Sequence, residues 1–353
     1  MSKIKISFRS VLTFITIILV GFVVWENLDS VEEAIKNIGN TNIFILILLS
    51  PEQLFMYYCC GQIFFSFINA KKNTKKASPF DLMRISLELN FVNHAIPAGG
   101  FGGLAYTTWR FKKFGVTPGQ SSFMYALRYA ITVCANQAQT LLAIAILMIF
   151  GRDSIPDGSL WVVWLTITIS LAILLGIFII IAIASNAKRV HHFSKIISSV
   201  CNFLVRFFTF GHKRNKLTYE KVDAYLMDIH SDLTIARHNK KVLIKPIIWG
   251  IIYSFFEVGT YWVVAISRGN PWVMPQIMIG EAIGSVFGTL FPIGPYEAGM
   301  AGVMAILGVS DAIAIVCITR VIVLGMTILS GYGFYQNAIS KIGRKDKEHE
   351  RAA

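Results

Sequence analysis

Charged residues are scarce in this chain: only 15% of its 353 residues are Asp, Glu, Lys or Arg, whereas a soluble domain carries about 25%. The five cysteines form no Cys-x-x-Cys or Cys/His pair, which gives no indication of a zinc site or a disulfide framework. The seven histidines include no His-Glu-x-x-His, and no Gly-x-x-x-x-Gly-Lys-Ser/Thr motif is present. The sequence therefore predicts no metal, no cofactor and no ATP hydrolysis.

Apolar residues make up 54% of the chain. Several apolar runs approach the ~20 residues that a spanning helix needs, so we predict an all-α polytopic membrane protein with about six to seven spanning helices. The first run follows a basic start and has no small-residue cleavage site, so we interpret it as a retained helix. The spans are predicted at 10–25, 43–69, 121–150, 160–184, 241–267 and 311–338.

The formal net charge of +13 is concentrated in a few loops. Lys and Arg cluster at the N-terminus, at 71–76, 110–113 and 186–245, and in the tail, whereas four acids lie in 26–42. Basic loops stay in the cytoplasm, which predicts a multi-pass protein of the cell membrane with both termini cytoplasmic. The excess of basic residues is then explained by membrane topology and by contact with anionic lipid head groups. It does not require a nucleic-acid partner. We divide the chain into a single transmembrane domain at 1–340, with cytoplasmic amphipathic helices at 186–240, and a basic cytoplasmic tail at 341–353.

Two apolar segments are interrupted by glycine and proline and are too short to cross the membrane and return. Residues 80–109 lie between two basic loops, which predicts a re-entrant hairpin that enters and leaves on the cytoplasmic side. By the same reasoning, 273–310 enters and leaves from the outside. The alternative for each is an ordinary loop at the membrane surface. The turns are predicted at Pro97, Gly99, Gly100, Gly102 and Gly103, and at Pro292, Gly294 and Pro295.

The two hairpins resemble each other in sequence. Three anchors recur in the same order, and the spacing from glycine to arginine is 13 residues in one and 12 in the other. Matching hairpins on opposite faces indicate an inverted repeat, the plan by which many transporters alternate access. The anchors are Pro-Ala-Gly-Gly at 97–100, Gly-Val-Thr at 115–117 and Ala-Leu-Arg at 126–128, against Pro-Ile-Gly-Pro at 292–295, Gly-Val-Ser at 308–310 and Ile-Thr-Arg at 318–320.

Two arginines are predicted near the bilayer midplane, Arg128 at a depth of about 13 Å and Arg320 at about 15 Å, at 1.5 Å per residue. A charge in lipid costs ~2.5 kcal/mol or more, so both must face an interior, a partner or water. Each could pair with a glutamate or cap the carbonyls of a broken hairpin, and Glu297 is the natural carboxylate partner. Alternatively, both hold the phosphate of an anionic lipid head group.

Acidic residues also lie in the apolar segments. Glu88 could pair with Arg84 one turn away. Glu52 and Glu257 are each either a proton or head-group site, or a group that hydrogen-bonds between helices. A stripe of small residues at Gly280, Gly284 and Gly288 favours close helix packing. The candidate substrate-binding set is Arg128, Arg320, Glu297, Glu281, Glu257 and Glu88.

The stretch FPIGPYEAGMAGVMAILGVSDAIAIVCITRVI at 291–322 resembles the lysylphosphatidylglycerol synthase/flippase membrane-domain family. The resemblance extends over nearly the whole chain and implies a polytopic helical fold with two re-entrant hairpins and a role in handling lipids. Full-length relatives carry a soluble aminoacyl-transferase domain, whose activity is not expected here, so the resemblance favours a transporter over an enzyme. Many members have an acid and an arginine soon after the first turn, where this chain has Leu104 and Ala105. The matching residues are Pro292, Gly294, Glu297, Ala298, Gly308, Val309, Ser310 and Arg320.

The resulting hypothesis is a flippase-like lipid translocase, with a cavity bounded by the two hairpins. An alternative is an accessory subunit or enzyme of lipid-linked glycan or lipid-modification pathways, working with a glycosyltransferase or lipid-modifying enzyme, since no Asp-x-Asp nucleotide-sugar motif is present. A third is a structural membrane protein. The sequence leaves the lipid, the direction, the energy source and any oligomer open. The amphipathic patterns in 193–207 and 222–233 predict helices that lie on anionic lipid, or that dock a partner.

Overall fold

The computed structural model is helical throughout the residues that it describes, with one short 3-10 turn at Lys112–Phe114 and no strand among them. The predicted span at 10–25 lies outside those residues, as do the predicted turn residues Pro97, Gly99, Gly100, Pro292 and Gly294. The structure describes residues 39, 41–69, 75, 77–95, 101–152, 155–208, 218–290 and 295–352.

The helix boundaries agree closely with the predicted segments, because long apolar runs and breaking residues define them. Within the described part, five helical stretches are long and apolar enough to cross a membrane, and they correspond to five of the predicted spans. The helices are α1 (Ile43–Leu46), α2 (Leu49–Ile68), α3 (Pro79–Ala95), α4 (Phe101–Phe111), α5 (Pro118–Phe150), α6 (Leu160–Ala184), α7 (Ala187–Phe208), α8 (Tyr219–His238), α9 (Lys241–Ser267), α10 (Met274–Leu290), α11 (Pro295–Ile306) and α12 (Ala312–Ala352).

Helices α3 and α4 form one hairpin, and α10 and α11 form the other. Their lengths match: α3 and α10 have 17 residues each, and α4 and α11 have 11 and 12. Each hairpin ends on a left-handed glycine, Gly115 at φ 79° and Gly308 at φ 89°, a conformation that glycine adopts without strain. The valines that follow, Val116 and Val309, are both buried. The repeat seen in the sequence is therefore a repeat of local structure.

The two ends of each hairpin lie side by side. Before α3, the Lys75 amide donates to the Phe114 carbonyl that follows α4, at 3.0 Å. Before α10, Arg268 lies 3.4 Å from the carboxylate of Asp311, which follows α11. Asn270 donates to the same carboxylate. Each hairpin thus returns to the level at which it began.

The predicted glycine stripe on α10 does bring α10 and α11 into close contact. A Cβ built on Gly284 would lie 3.0 Å from both Cβ of Met300 and the carbonyl oxygen of Tyr296. Gly280 and Gly288 face Met304 and Tyr296 in the same way. Small residues at these positions let two helix backbones approach, which replaces the hydrophobic driving force that lipid does not supply.

Helix α3 is held tightly between α2 and α12. A Cβ on Gly61 of α2 would lie 2.7 Å from the backbone nitrogen of Met83. On the α12 side, a Cβ on Gly331 would lie 2.6 Å from the carbonyl oxygen of Leu87 and 2.7 Å from Cβ of Phe91. Both contacts are with backbone or with the first side-chain atom, so neither helix has room to shift.

Some boundaries differ from the predictions. Gly102 and Gly103 lie in the first turn of α4 rather than in the turn before it. A Cβ on Gly103 would meet the far ends of the Asn93 and Tyr125 side chains, which would have to shift to make room for it. Pro295 is the first residue of α11, a position where a proline's fixed φ suits a helix. The last helix continues through Ala352 instead of ending at 338, since Lys, Arg and Glu are good helix formers.

The predicted amphipathic segments form α7 and α8. His191 of α7 contacts the carboxylate of Asp223 on α8 at 2.8 Å. The hydroxyl of Thr117, the N-cap of α5, donates to Asp228 of α8, which places an acid at the positive end of the α5 dipole. The apolar face of α7 stays exposed, with Phe203 67% accessible.

We predict that Gly331→Ala lowers the melting temperature of the purified protein in detergent, whereas Gly333→Ala does not. The first methyl group collides with the α3 backbone, and overpacking of this kind costs typically about 1–3 kcal/mol. The second meets nothing within 4 Å and gains helix propensity. Equal melting temperatures for the two variants would contradict the tight α3–α12 packing.

Candidate functional site

A cavity of about 400 Å³ lies at the centre of the described helices. Both hairpins contribute to its wall, together with four of the long helices. It is lined by Asn90 and His94 of α3, by Glu281, Ser285 and Gly288 of α10, by Tyr296 of α11, and by residues of α2, α5, α9 and α12 that include Gln53, Met56, Tyr57, Tyr129, Tyr253, Glu257, Thr260, Tyr261, Thr319, Arg320, Val323, Leu324 and Thr327.

Arg320 of α12 lines the cavity and is neutralised by a carboxylate. Its Nε donates to Oε1 of Glu297 at 2.6 Å, and the exposed fractions of the two side chains are 17% and 8%. Its guanidinium also lies 4.6 Å from the ring centroid of Tyr296. The predicted pairing of Arg320 with Glu297 is therefore present, in the form of a charge-assisted hydrogen bond.

Arg128 of α5, its counterpart in the repeat, is in a different situation. Its guanidinium carbon lies 5.1 Å and 5.8 Å from the ring centroids of Tyr129 and Tyr253, both of which line the cavity. Its Nε is buried and has no hydrogen-bond partner in the part of the chain that the structure describes. Among the residues that the structure describes, no carboxylate lies within ion-pair distance of Arg128.

The two arginines thus divide between the two roles that the sequence leaves open. Arg320 has the glutamate of the structural interpretation. Among the described residues, Arg128 lies against two aromatic rings, which attract a cation but leave its Nε–H donor unused. A guanidinium with an unused, buried donor suits a bidentate anion such as a phosphate diester.

The cavity also brings together two acids from different helices, Glu257 of α9 and Glu281 of α10. The side-chain amide of Asn136 on α5 reaches both, at 3.4 Å from Glu257 Oε2 and 3.5 Å from Glu281 Oε1. The hydroxyl of Tyr253 lies 3.4 Å from the other oxygen of Glu257. Neither carboxylate forms an ion pair within the described part of the chain.

Glu52 lies beside the cavity and serves to join helices. It accepts from the amide of the adjacent Gln53 at 2.9 Å and from Thr260 of α9 at 3.0 Å. This matches the helix-to-helix hydrogen bonding that the sequence leaves open for Glu52. Thr260 also accepts from Gln53, so three side chains share one polar contact between α2 and α9.

Glu88, predicted in the substrate-binding set, is not among the cavity residues. It is fully buried and accepts from Arg110 Nε at 2.7 Å and from the Tyr106 hydroxyl at 2.9 Å. The expected local pairing with Arg84 is wrong, since Arg84 instead lies over the ring of Phe334 at 4.9 Å. The fork of Arg110 reaches both carboxylate oxygens from α4, a geometry that a neighbour on the same helix does not offer.

The cavity contains residues that the sequence reasoning did not single out. A tyrosine pair, Tyr261 and Tyr296, joins α9 to α11 through their hydroxyls at 3.1 Å. His94 and Asn136 were missed as well. Charged residues in apolar segments are conspicuous because of their cost, whereas tyrosine, histidine and asparagine occur in such segments for many reasons. These residues can be assigned to the cavity wall only from the tertiary structure.

Comparison with known families decides the classification. Residues 8–331 match the lysylphosphatidylglycerol synthase TM region. This chain belongs to that family. The match covers the described helices from α1 to the first half of α12, including both hairpins and both arginines. No curated protein and no solved structure matches the chain.

Membership of the lysylphosphatidylglycerol synthase TM family makes this a multi-pass membrane protein with a lipid-related function. The match is to the membrane region of the family. The motif that carried the resemblance is at 292–298, and its described part, 295–298, forms the start of α11. Its glutamate, Glu297, is the residue that neutralises Arg320.

We predict that Arg110→Gln strongly destabilises the protein, because it leaves the fully buried Glu88 carboxylate without its cation. Breaking a buried pair costs about 3–5 kcal/mol. The double variant Glu88→Gln/Arg110→Gln removes both charges and should recover most of the lost melting temperature. Lys113→Gln is the control, since Lys113 is paired to Asp81 at 3.9 Å in an exposed position and such pairs contribute little. A double variant no more stable than Arg110→Gln would contradict this role.

Proposed function

We propose that this protein is a lipid translocase that moves a phospholipid or a lipid-linked phosphate carrier across the bilayer. The observation that carries the proposal is the cavity, lined by both hairpins, together with Arg128, a half-buried arginine that packs against two tyrosines of the cavity wall and has no carboxylate within ion-pair distance among the described residues. A lipid phosphate supplies the bidentate anion that this arginine lacks. The apolar surface of the surrounding helices accommodates the acyl chains in lipid.

The proposal includes two re-entrant hairpins that enter from opposite leaflets. Supporting it, the ends of the α3–α4 hairpin meet at Lys75 and Phe114, beside the basic loops. The ends of the α10–α11 hairpin meet at Arg268 and Asp311, and Ser267 there also bonds to Asn42. Irregular backbone between short helices is tolerated at membrane depth where protein surrounds it.

Topology is testable by cysteine accessibility in a protein freed of its own cysteines. Single cysteines at Lys75 and Lys112 should both react with an impermeant maleimide only from the cytoplasmic side. Single cysteines at Asn270 and Ser310 should both react only from outside. Labelling of Lys75 and Lys112 from different sides would contradict re-entry of the first hairpin.

The two arginines have separate parts in the proposed mechanism. Arg128 makes the first contact with the phosphate, because its Nε–H donor has no partner among the described residues. Arg320 receives the phosphate only when Glu297 gives up its hydrogen bond. The exchange of one anion for another on Arg320 then links movement of the second hairpin, which carries Glu297, to the position of the lipid. Alternating exposure of one cavity to two leaflets is the general plan of repeat-built transporters.

We predict that Arg128→Gln lowers the rate of lipid flipping at least about tenfold while leaving the melting temperature nearly unchanged. Charge-assisted hydrogen bonds contribute about 1.5–3 kcal/mol, and about 1.4 kcal/mol is a factor of ten. The measurement is dithionite quenching of fluorescent phosphatidylglycerol in reconstituted phosphatidylcholine vesicles. Arg128→Lys keeps the charge without the fork and should be intermediate.

The matched controls separate folding from transport. Arg152→Gln removes an exposed arginine and should flip lipid like the original protein. Arg320→Gln should lower both flipping and melting temperature, because it removes the guanidinium that neutralises Glu297, and adding Glu297→Gln should restore the melting temperature but not flipping. Unchanged flipping in Arg128→Gln would overturn the mechanism, and absence of flipping in the original protein would favour the accessory role.

A further inference from the structure

The acids around the cavity outnumber the arginines. The helices around the cavity carry two guanidiniums, those of Arg128 and Arg320. They also carry four carboxylates, those of Glu257, Glu281, Glu297 and, beside the wall, Glu52. An anion that enters this space adds a further negative charge where the dielectric constant is low and repulsion is strong. A proposed phosphate site therefore needs a way to lose negative charge as the phosphate arrives.

The four carboxylates are not equally compensated. Glu297 is bonded to Arg320 at 2.6 Å, and Glu52 accepts from Thr260 and Gln53 at 3.0 Å and 2.9 Å. Glu257 and Glu281, by contrast, have longer contacts to neutral groups, at 3.4–3.5 Å. These two acids are therefore the least stabilised as carboxylates.

The geometry between the two acids suits a bound proton. Both approach the same side-chain nitrogen of Asn136, so like charges from α9 and α10 converge on one amide. Two carboxylates that share a site disfavour simultaneous ionisation. The Oδ1 atom of Asn136 is buried and has no hydrogen-bond donor among the described residues, and a protonated carboxyl is a donor that a rotated amide could use.

We propose that the Glu257–Glu281 pair takes up a proton when the cavity binds a lipid phosphate, and gives it up when the lipid leaves. The inference rests on the phosphate site of the proposed function and adds its coupling ion. No bond other than O–H forms or breaks, and the proton comes from the solution to which the cavity is open. Reciprocal linkage requires that anion affinity rise as the pH falls.

Several other charged or titratable groups face the pair, and each must be distinguished from it. His94 matters most, because a histidine titrates in the same pH range and its protonation would also attract an anion. The full set comprises Glu52 and Tyr57 of α2, His94 of α3, Arg128 and Tyr129 of α5, Tyr253 and Tyr261 of α9, Tyr296 and Glu297 of α11, and Arg320 of α12.

The test is binding of dioctanoyl-phosphatidylglycerol to the full chain in detergent between pH 5.5 and pH 7.5, followed by thermophoresis. The phosphodiester stays anionic throughout, so any pH dependence belongs to the protein. The dissociation constant should decrease as the pH decreases, by up to about tenfold per pH unit. That is the slope expected when one proton binds with each anion. Glu257→Gln/Glu281→Gln should bind with the low-pH affinity at every pH.

Two variants serve as controls, and one measurement needs no variant. Glu220→Gln removes an exposed acid at the start of α8, and His94→Gln removes the competing titratable group. Both should keep the slope of the original protein. In weakly buffered solution with a pH dye, the original protein should take up about one proton per lipid bound. This remains decisive if the double variant does not fold.

A dissociation constant independent of pH overturns the coupling, as does a slope that survives in Glu257→Gln/Glu281→Gln or disappears in His94→Gln. Weaker binding of the double variant at every pH also overturns it, since the acids would then be ligands for a cation. Flipping in vesicles of equal internal and external pH tests the translocase itself. If lipid is flipped but binding does not depend on pH, only the proton coupling is contradicted. If binding depends on pH but lipid is not flipped, only the translocase function is contradicted.

Discussion

A charge inside a membrane protein must be compensated, and the cavity depends on how this chain distributes that compensation. Arg320 and Glu297 neutralise each other across α11 and α12, and Arg110 neutralises Glu88 within the other hairpin. These pairs hold short helices in place where the hydrophobic effect between helices is weak. What they leave over is Arg128 and the Glu257–Glu281 pair, none of which has an ion-pair partner among the described residues. The proposed function lies in that remainder.

The two hairpins position these charges, and both hairpins are built from the same parts. A helix of 17 residues, a shorter one and a left-handed glycine precede each arginine-bearing helix. Buried clusters surround each hairpin separately, one with Phe64 and Phe111 at its centre and another with Met300 and Met304. The cavity lies where the two halves meet.

The sequence predicts the helices well and the cavity only in part. Apolar runs, prolines and the positive-φ glycines define the helix ends to within a few residues, because those signals are local. The Arg320–Glu297 pair was predictable from the sequence, because Arg320 is one of the anchors of the repeat and Glu297 directly follows the turn of the second hairpin. The Arg110–Glu88 pair was not, because Arg84 is nearer in sequence and only the α3–α4 packing brings Arg110 closer. Asn136 and His94 carry no sequence signal that distinguishes them from ordinary helix residues.

The difference between the two repeats has a specific origin. Glu297 lies five residues after Pro292, and the corresponding position after Pro97 is Gly102. The next residue, Gly103, packs closely against the side-chain ends of Asn93 and Tyr125. The first hairpin therefore has a glycine where the second has a carboxylate, and among the described residues Arg128 has no ion-pair partner like the one that Arg320 has. Two equivalent ion pairs would have left the cavity with no guanidinium available to an anion. The missing acid is therefore what distinguishes the two halves of the repeat, and the proposed phosphate site depends on that difference.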